Sequence, residues 1–161
     1  MRKTFIFMGV SGCGKSTIAR AFAETSGGDF LDGDDFHPPA NIEKMSSGIP
    51  LDDDDRVAWL AAITDAINHS AKAILCFACS ALKKKHRDLL RQASGEITFI
   101  YLHGSRELLL QRHAERSGHF MPAMLLDSQL ADLETPTQAH RIDITASPEE
   151  IIAGLRAQFA L

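Results

Sequence analysis

The densest chemistry in the sequence is Gly9-Val10-Ser11-Gly12-Cys13-Gly14-Lys15-Ser16, which satisfies G-x-x-x-x-G-K-[ST] at every fixed position. It follows an apolar run that reads as a strand and precedes a helical pattern, the setting in which such a loop cradles phosphate. Glycines at 9, 12 and 14 let the backbone curl until successive N–H groups converge as an anion nest. The helix behind the loop adds the positive end of its dipole. Lys15 is spaced to reach β- and γ-phosphates and the Ser16 hydroxyl to ligate Mg²⁺, while Ser11, Cys13 and Thr17 complete the set of contacts. These residues predict binding of a nucleoside triphosphate.

A second group follows the next apolar run, in Leu31-Asp32-Gly33-Asp34-Asp35-Phe36-His37-Pro38-Pro39. Carboxylates just past the carboxyl end of a strand lie where open α/β sheets bind ligands. In extended conformation Asp32 and Asp34 point to the same side. One could accept a proton from an acceptor hydroxyl while the other holds the metal. Arg112 and Arg116 lie four apart on one helical face, ahead of a break at Gly118-His119-Phe120. No N-K-x-D guanine signature occurs, and the third apolar run ends in Cys79-Ser80 rather than in a carboxylate. A GTPase and an ATPase motor are therefore disfavoured against a small phosphotransferase.

The elements that must position these residues alternate along the chain. Strand-like runs lie at 4–8, 30–31, 73–79, 98–102 and 142–144, and helical patterns at 15–26, 53–69, 82–93, 105–116, 121–133 and 148–159. Near-continuous apolar strands imply a sheet covered on both faces. The pattern predicts one α/β domain over 1–161: a doubly wound parallel five-stranded sheet of the P-loop NTPase type flanked by helices, with a helical lid near 112–133. Ser147 should cap the last helix, with Pro148 in its first turn. Asp52 to Asp55 lack the spacing of a calcium loop and fit a helix start, where carboxylates meet free N–H groups.

The 161 residues are 45% hydrophobic and 24% charged, enough apolar material for a core without staples. A net charge of −4 argues against a general nucleic-acid binder. No apolar run reaches the ~18 residues of a membrane span. The short basic start and apolar stretch lead into a glycine-rich loop rather than a cleavage site, which predicts a cytoplasmic chain. Cys76 and Cys79 form a C-x-x-C inside a strand-like run. Residues three apart on a strand are about 10 Å apart, beyond the ~7 Å a disulfide tolerates, so both are expected in the core.

From Leu31 to Pro39 and on through Ala40-Asn41-Ile42-Glu43-Lys44-Met45, the sequence resembles the gluconokinase family. So do Gly48-Ile49-Pro50-Leu51 with Asp52 to Arg56, Cys79-Ser80-Ala81-Leu82-Lys83, Arg87-Asp88-Leu89-Leu90-Arg91 and Gly118-His119-Phe120-Met121. The blocks run in family order over residues 4–145. The resemblance implies ATP-dependent phosphorylation of D-gluconate to 6-phosphogluconate with Mg²⁺, usually by a homodimer. Gluconate, a small carboxylate with a row of hydroxyls, needs cations at one end and carboxylates near the reacting alcohol. Lys44, Arg56, Lys83 and Arg87 are the candidate cations, Asp34 and His37 the hydroxyl partners, and His119 a further substrate contact. Of Lys83, Lys84 and Lys85, only Lys83 is expected to face the site. By analogy with related small kinases Asp34 is the base and Asp32 the metal partner, and Arg112 and Arg116 close on the phosphates.

Two positions depart from the family pattern: His86 stands where an aromatic residue is common, and the stretch Thr137 to Arg141 lacks an expected acid. Other readings of the same motifs are a kinase of another small acceptor (shikimate, a nucleoside monophosphate or adenylyl sulfate) and a module that binds ATP without turnover.

Overall fold

The computed structural model describes residues 1–117 and 123–161, with side chains for 1–115 and 125–161. The strands are β1 (Lys3–Met8), β2 (Asp29–Asp32), β3 (Ile74–Ala78), β4 (Glu96–His103) and β5 (His140–Asp143). All are parallel, in the order β2-β3-β1-β4-β5, so every strand's carboxyl end opens on one edge. The helices are α1 (Lys15–Ser26), α2 (Pro39–Ser46), α3 (Asp53–His69), α4 (Lys84–Leu90), α5 (Arg106–Ser117), α6 (Ala123–Asp132) and α7 (Pro148–Phe159).

Alternation along β1 explains the two-faced core. Phe5 and Phe7 enter one apolar cluster with Phe22 of α1 and Ile151 and Leu155 of α7. Ile6 and Met8 enter the other with Leu60, Ile63 and Ile67 of α3 and Leu90 of α4. Helices on both sides bury the central strands, so no polar alternation appears in their sequence. Cys76 and Cys79 are buried free thiols, and burial pushes both up to about 12, where they stay protonated.

Several expected boundaries hold because caps set them. Asp52 accepts from the Asp55 N–H at 2.8 Å and Asp55 from the Asp52 N–H at 3.0 Å, a reciprocal box that starts α3. Ser147 caps α7 through the Glu150 N–H at 3.2 Å. α4 is shorter than its pattern suggests: Ala81 takes a left-handed φ of 43° and Lys83 is extended, so the helix begins only at Lys84. α2 and the 3₁₀ turn Gly33–Phe36 are unforeseen, the turn being held by Asp32 accepting from the Asp34 N–H at 3.0 Å.

Candidate active site

The carboxyl edge of β1, β2 and β3 borders a polar cavity of about 300 Å³. Its floor is the glycine-rich loop, with Ser11, Gly12, Gly14, Lys15 and Ser16 in the lining. Gly14 takes a left-handed φ of 96° at the head of α1, which aims the first N–H groups of that helix into the space. Gly12 is required twice over: its φ is +87°, and a Cβ there would lie 2.9 Å from the Leu109 carbonyl oxygen of α5. Lys15 Nζ rests on the Val10 carbonyl at 3.2 Å, inside the loop it serves. Gly9 and Cys13 are buried in the frame of the loop, and Thr17 is exposed on α1 outside the cavity.

Asp32 and Asp34 both line this cavity, but not as alternate residues of an extended strand. The chain turns into the 3₁₀ segment at Gly33, and the two carboxylates differ in their partners. Asp32 is engaged on both oxygens: Oδ1 accepts from the Asp34 N–H and Oδ2 from the Ser16 hydroxyl at 3.1 Å, each keeping a second lone pair. Ser16 and Asp32 therefore present adjacent hard oxygen donors, the type that suits Mg²⁺ beside phosphate oxygens. Asp34 faces the open cleft, with His37 Nε2 4.0 Å away. The cleft walls and then the Asp32 charge push the Asp34 carboxyl above its usual range, against the pull of His37 and Lys15.

The turn is buttressed from α3. The Trp59 indole N–H donates to the Gly33 carbonyl at 2.7 Å, and its ring stacks on His37 at 4.5 Å between centroids. Asn41 Nδ2 donates to the Asp55 carbonyl at 2.9 Å and lies 3.3 Å from His37 Nδ1. Burial between these groups pushes the His37 pKa down, the Asp34 charge opposing it. A Cβ on Gly33 would sit 2.6 Å from the Ala78 carbonyl oxygen, which explains the glycine in D-G-D. Asn41 stands in a family block and Trp59 in none, and for both the role at this turn shows only in the packing.

A second cavity of about 750 Å³ adjoins the first, and Ser80 and Gln129 line both. Arg56 of α3 and Lys83 at the head of α4 form its cationic wall, with the His86 ring beside them and Met45, Ile49, Leu82 and Leu125 supplying apolar surface. Asp53 balances the cations, 3.9 Å from Arg56, 3.8 Å from Lys83 and 2.5 Å from Lys85. Gln129 of α6 reaches across to the nest, its Oε1 accepting from the Ser11 N–H at 2.7 Å. A lone glutamine on a helix gives no sign of this in sequence.

His37, expected as a hydroxyl partner, is packed behind Asp34 and lines neither cavity, and three of the expected cations also lie elsewhere. Lys44 turns to α3, with Nζ 2.7 Å from Asp55 and 3.8 Å from Asp52, so it secures the helix start instead of lining the cavity. Arg87 is buried and donates to the carbonyls of Ala81 at 2.8 Å, Leu82 at 3.0 Å and Glu134 at 2.8 Å. It ties the left-handed turn before α4 to the end of α6, away from the cavity. Arg112 donates to the Ile144 carbonyl beyond β5 and does not line the phosphate cavity. The Arg116 side chain and all of His119 lie outside the described residues.

The chain is similar to known proteins over most of its length. A family model described as an AAA domain matches residues 5–136. The chain is similar to the thermosensitive gluconokinase of Escherichia coli K12, 46% identical over 144 residues covering 88% of this chain and 76% of that one. It is 48% identical to the gluconokinase of Gluconobacter oxydans over 133 residues, 81% of this chain and 75% of the relative. The crystal structure of a gluconokinase from Sinorhizobium meliloti superposes with a TM-score of 0.88 at 44% identity, covering 99% of this chain and 94% of the other.

Proposed function

The chain belongs to the gluconokinase family, and from that premise we propose how its two cavities divide the phosphorylation of D-gluconate by ATP. The observation that carries the division is that a backbone-lined phosphate nest and a cation-walled cavity meet at Ser80 and Gln129. The triphosphate lies in the nest, held by converging N–H groups, the α1 dipole and Lys15. Gluconate lies in the larger cavity with its carboxylate towards Arg56 and Lys83. A guanidinium can grip that carboxylate with two parallel hydrogen bonds.

The terminal hydroxyl then points to Asp34, which accepts its proton as the oxygen attacks the γ-phosphorus. A new phosphorus–oxygen bond forms to the sugar acid, the bond to the β–γ bridging oxygen breaks, and ADP leaves. Phosphoryl transfer through a loose transition state is mostly alignment and charge neutralisation, so an aspartate that orients the alcohol suffices. His37, clamped by Trp59 and Asn41, keeps that carboxylate in place. Ser16 and Asp32 would hold Mg²⁺, which supplies charge neutralisation on the phosphate oxygens when bound. Arg116, near the end of α5, is the candidate cation for the transferring group, while Arg112 stays engaged with the Ile144 carbonyl.

On this reading the molecule acts as one kinase domain over 1–161 with its lid near 112–133, in the cytoplasm and as a homodimer. Among the described residues no helix is long and apolar enough to cross a membrane. The test of the substrate is ADP release with gluconate against shikimate, a nucleoside monophosphate and adenylyl sulfate. Turnover with gluconate and background rates with the others are expected. Turnover with another acceptor and not gluconate would refute the assignment, and none with any would leave a nucleotide-binding module.

A further inference from the structure

Among the described residues three buried side-chain polar atoms have no hydrogen-bond partner: Arg2 Nε, Thr4 Oγ1 and His86 Nε2. The first two lie at the amino end of β1, opposite the site. His86 is different, because it belongs to the wall of the acceptor cavity, together with Arg56 and Lys83. It is 5% exposed, on the first turn of α4. An unpaired buried nitrogen costs about 1–3 kcal/mol, so a partner is expected for it.

The surroundings define what that partner is. Burial first, then Arg56, Lys85 and Lys83, hold the His86 pKa below its usual value against the single opposing charge of Asp53. The ring is thus a neutral hydrogen-bonding group set among cations. A sugar acid presents this combination: a carboxylate for the cations and, one bond away, a hydroxyl for an uncharged nitrogen. Where the family commonly has an aromatic side chain, this chain has a flat ring with nitrogens on its edge.

We propose that His86 is a specificity-determining residue of the acceptor site, its Nε2 hydrogen-bonding a hydroxyl beside the carboxylate held by Arg56 and Lys83. The inference rests on the gluconate assignment and names the atom through which this chain reads its acceptor. The nitrogen is buried and unpartnered in the cavity wall, and the gluconate hydroxyl is the partner it takes. The nitrogen touches the polyol end away from the reacting alcohol, so it acts on binding and leaves the transfer step alone.

Steady-state kinetics of His86→Phe and His86→Gln test this. His86→Phe keeps the ring without nitrogen, and its gluconate KM should rise about tenfold, the equivalent of one hydrogen bond. Its kcat and ATP KM should stay within about twofold. His86→Gln restores a polar atom at similar reach and should recover most of the loss. An unchanged gluconate KM in a folded His86→Phe protein, or an equal rise in the ATP KM, overturns the proposal. If His86→Phe does not fold, ¹⁵N-histidine spectra of the unsubstituted enzyme decide, with the His86→Gln spectrum assigning the signal. Gluconate, and not ADP, should shift the His86 Nε2 resonance, and no shift overturns the proposal. Gluconate turnover by the unsubstituted enzyme separates the two failures: if it is absent the substrate assignment has failed, and if it is present only the role of His86 has.

Discussion

The phosphate nest and the acceptor cavity share a wall but are built on opposite plans. The nest comes from one contiguous stretch, Gly9 to Ser16, and works through main-chain N–H groups. The acceptor cavity gathers side chains from the loop after α2, from α3, α4 and α6, and works through charge. A backbone site depends on where glycines permit the chain to curl, which spacing records directly. A side-chain site depends on which partner each charge finds, and that is settled only by packing.

Substitutions should follow this division. The largest effect is expected in the nest: Lys15→Ala should lower kcat on the order of 10³-fold, the scale of a phosphate-neutralising cation. Near-normal kcat would mean that the nest does not hold the transferring phosphate. At the junction, Asp34→Asn should lower kcat about 10²–10⁴-fold, as for loss of a general base, with nucleotide affinity kept. The raised pKa of Asp34 adds a pH signature. The base works only when deprotonated, so kcat falls with acid along a limb lying above the ordinary 3.8. That limb should vanish in Asp34→Asn, and if it survives, or if Asp32→Asn removes it instead, the roles of the two aspartates are exchanged.

Smaller effects separate the cavity's own cations from those that only resemble them in sequence. Arg56→Lys should raise the gluconate KM about tenfold, since an ammonium cannot make the paired hydrogen bonds, and leave the ATP KM alone. Arg87→Met should do the reverse: loss of its carbonyl bonds, about 2 kcal/mol, lowers Tm by about 4–8 °C. Its gluconate KM should hardly move. A raised KM at unchanged Tm would return Arg87 to the acceptor site.

What could be read in advance divides along the same line. The nest, the order of strands and helices and the caps of α3 and α7 all rest on local rules, and the structure carries them out. Asp52 and Asp55 start a helix because each carboxylate accepts from the other's backbone N–H, an interaction within four residues. Lys44 and Arg87 were indistinguishable in sequence from Arg56 and Lys83, all four being cations in family blocks. Asp55 captured one and three backbone carbonyls the other. The short 3₁₀ turn and α2 escaped because neither has the length for a periodic pattern, and Gln129 because nothing local ties it to Ser11. Arg112, facing Ile144, shows that a shared helical face does not decide what the face meets.

The separation of donor and acceptor between two adjoining cavities is tested most directly by calorimetric titration. A non-hydrolysable ATP analogue and gluconate are titrated in turn into the unsubstituted enzyme, Lys15→Ala and Arg56→Lys. A crossed pattern is predicted: Lys15→Ala weakens the nucleotide and spares gluconate, and Arg56→Lys weakens gluconate and spares the nucleotide. Equal weakening of both ligands by either substitution, or no change in either ligand, would contradict it.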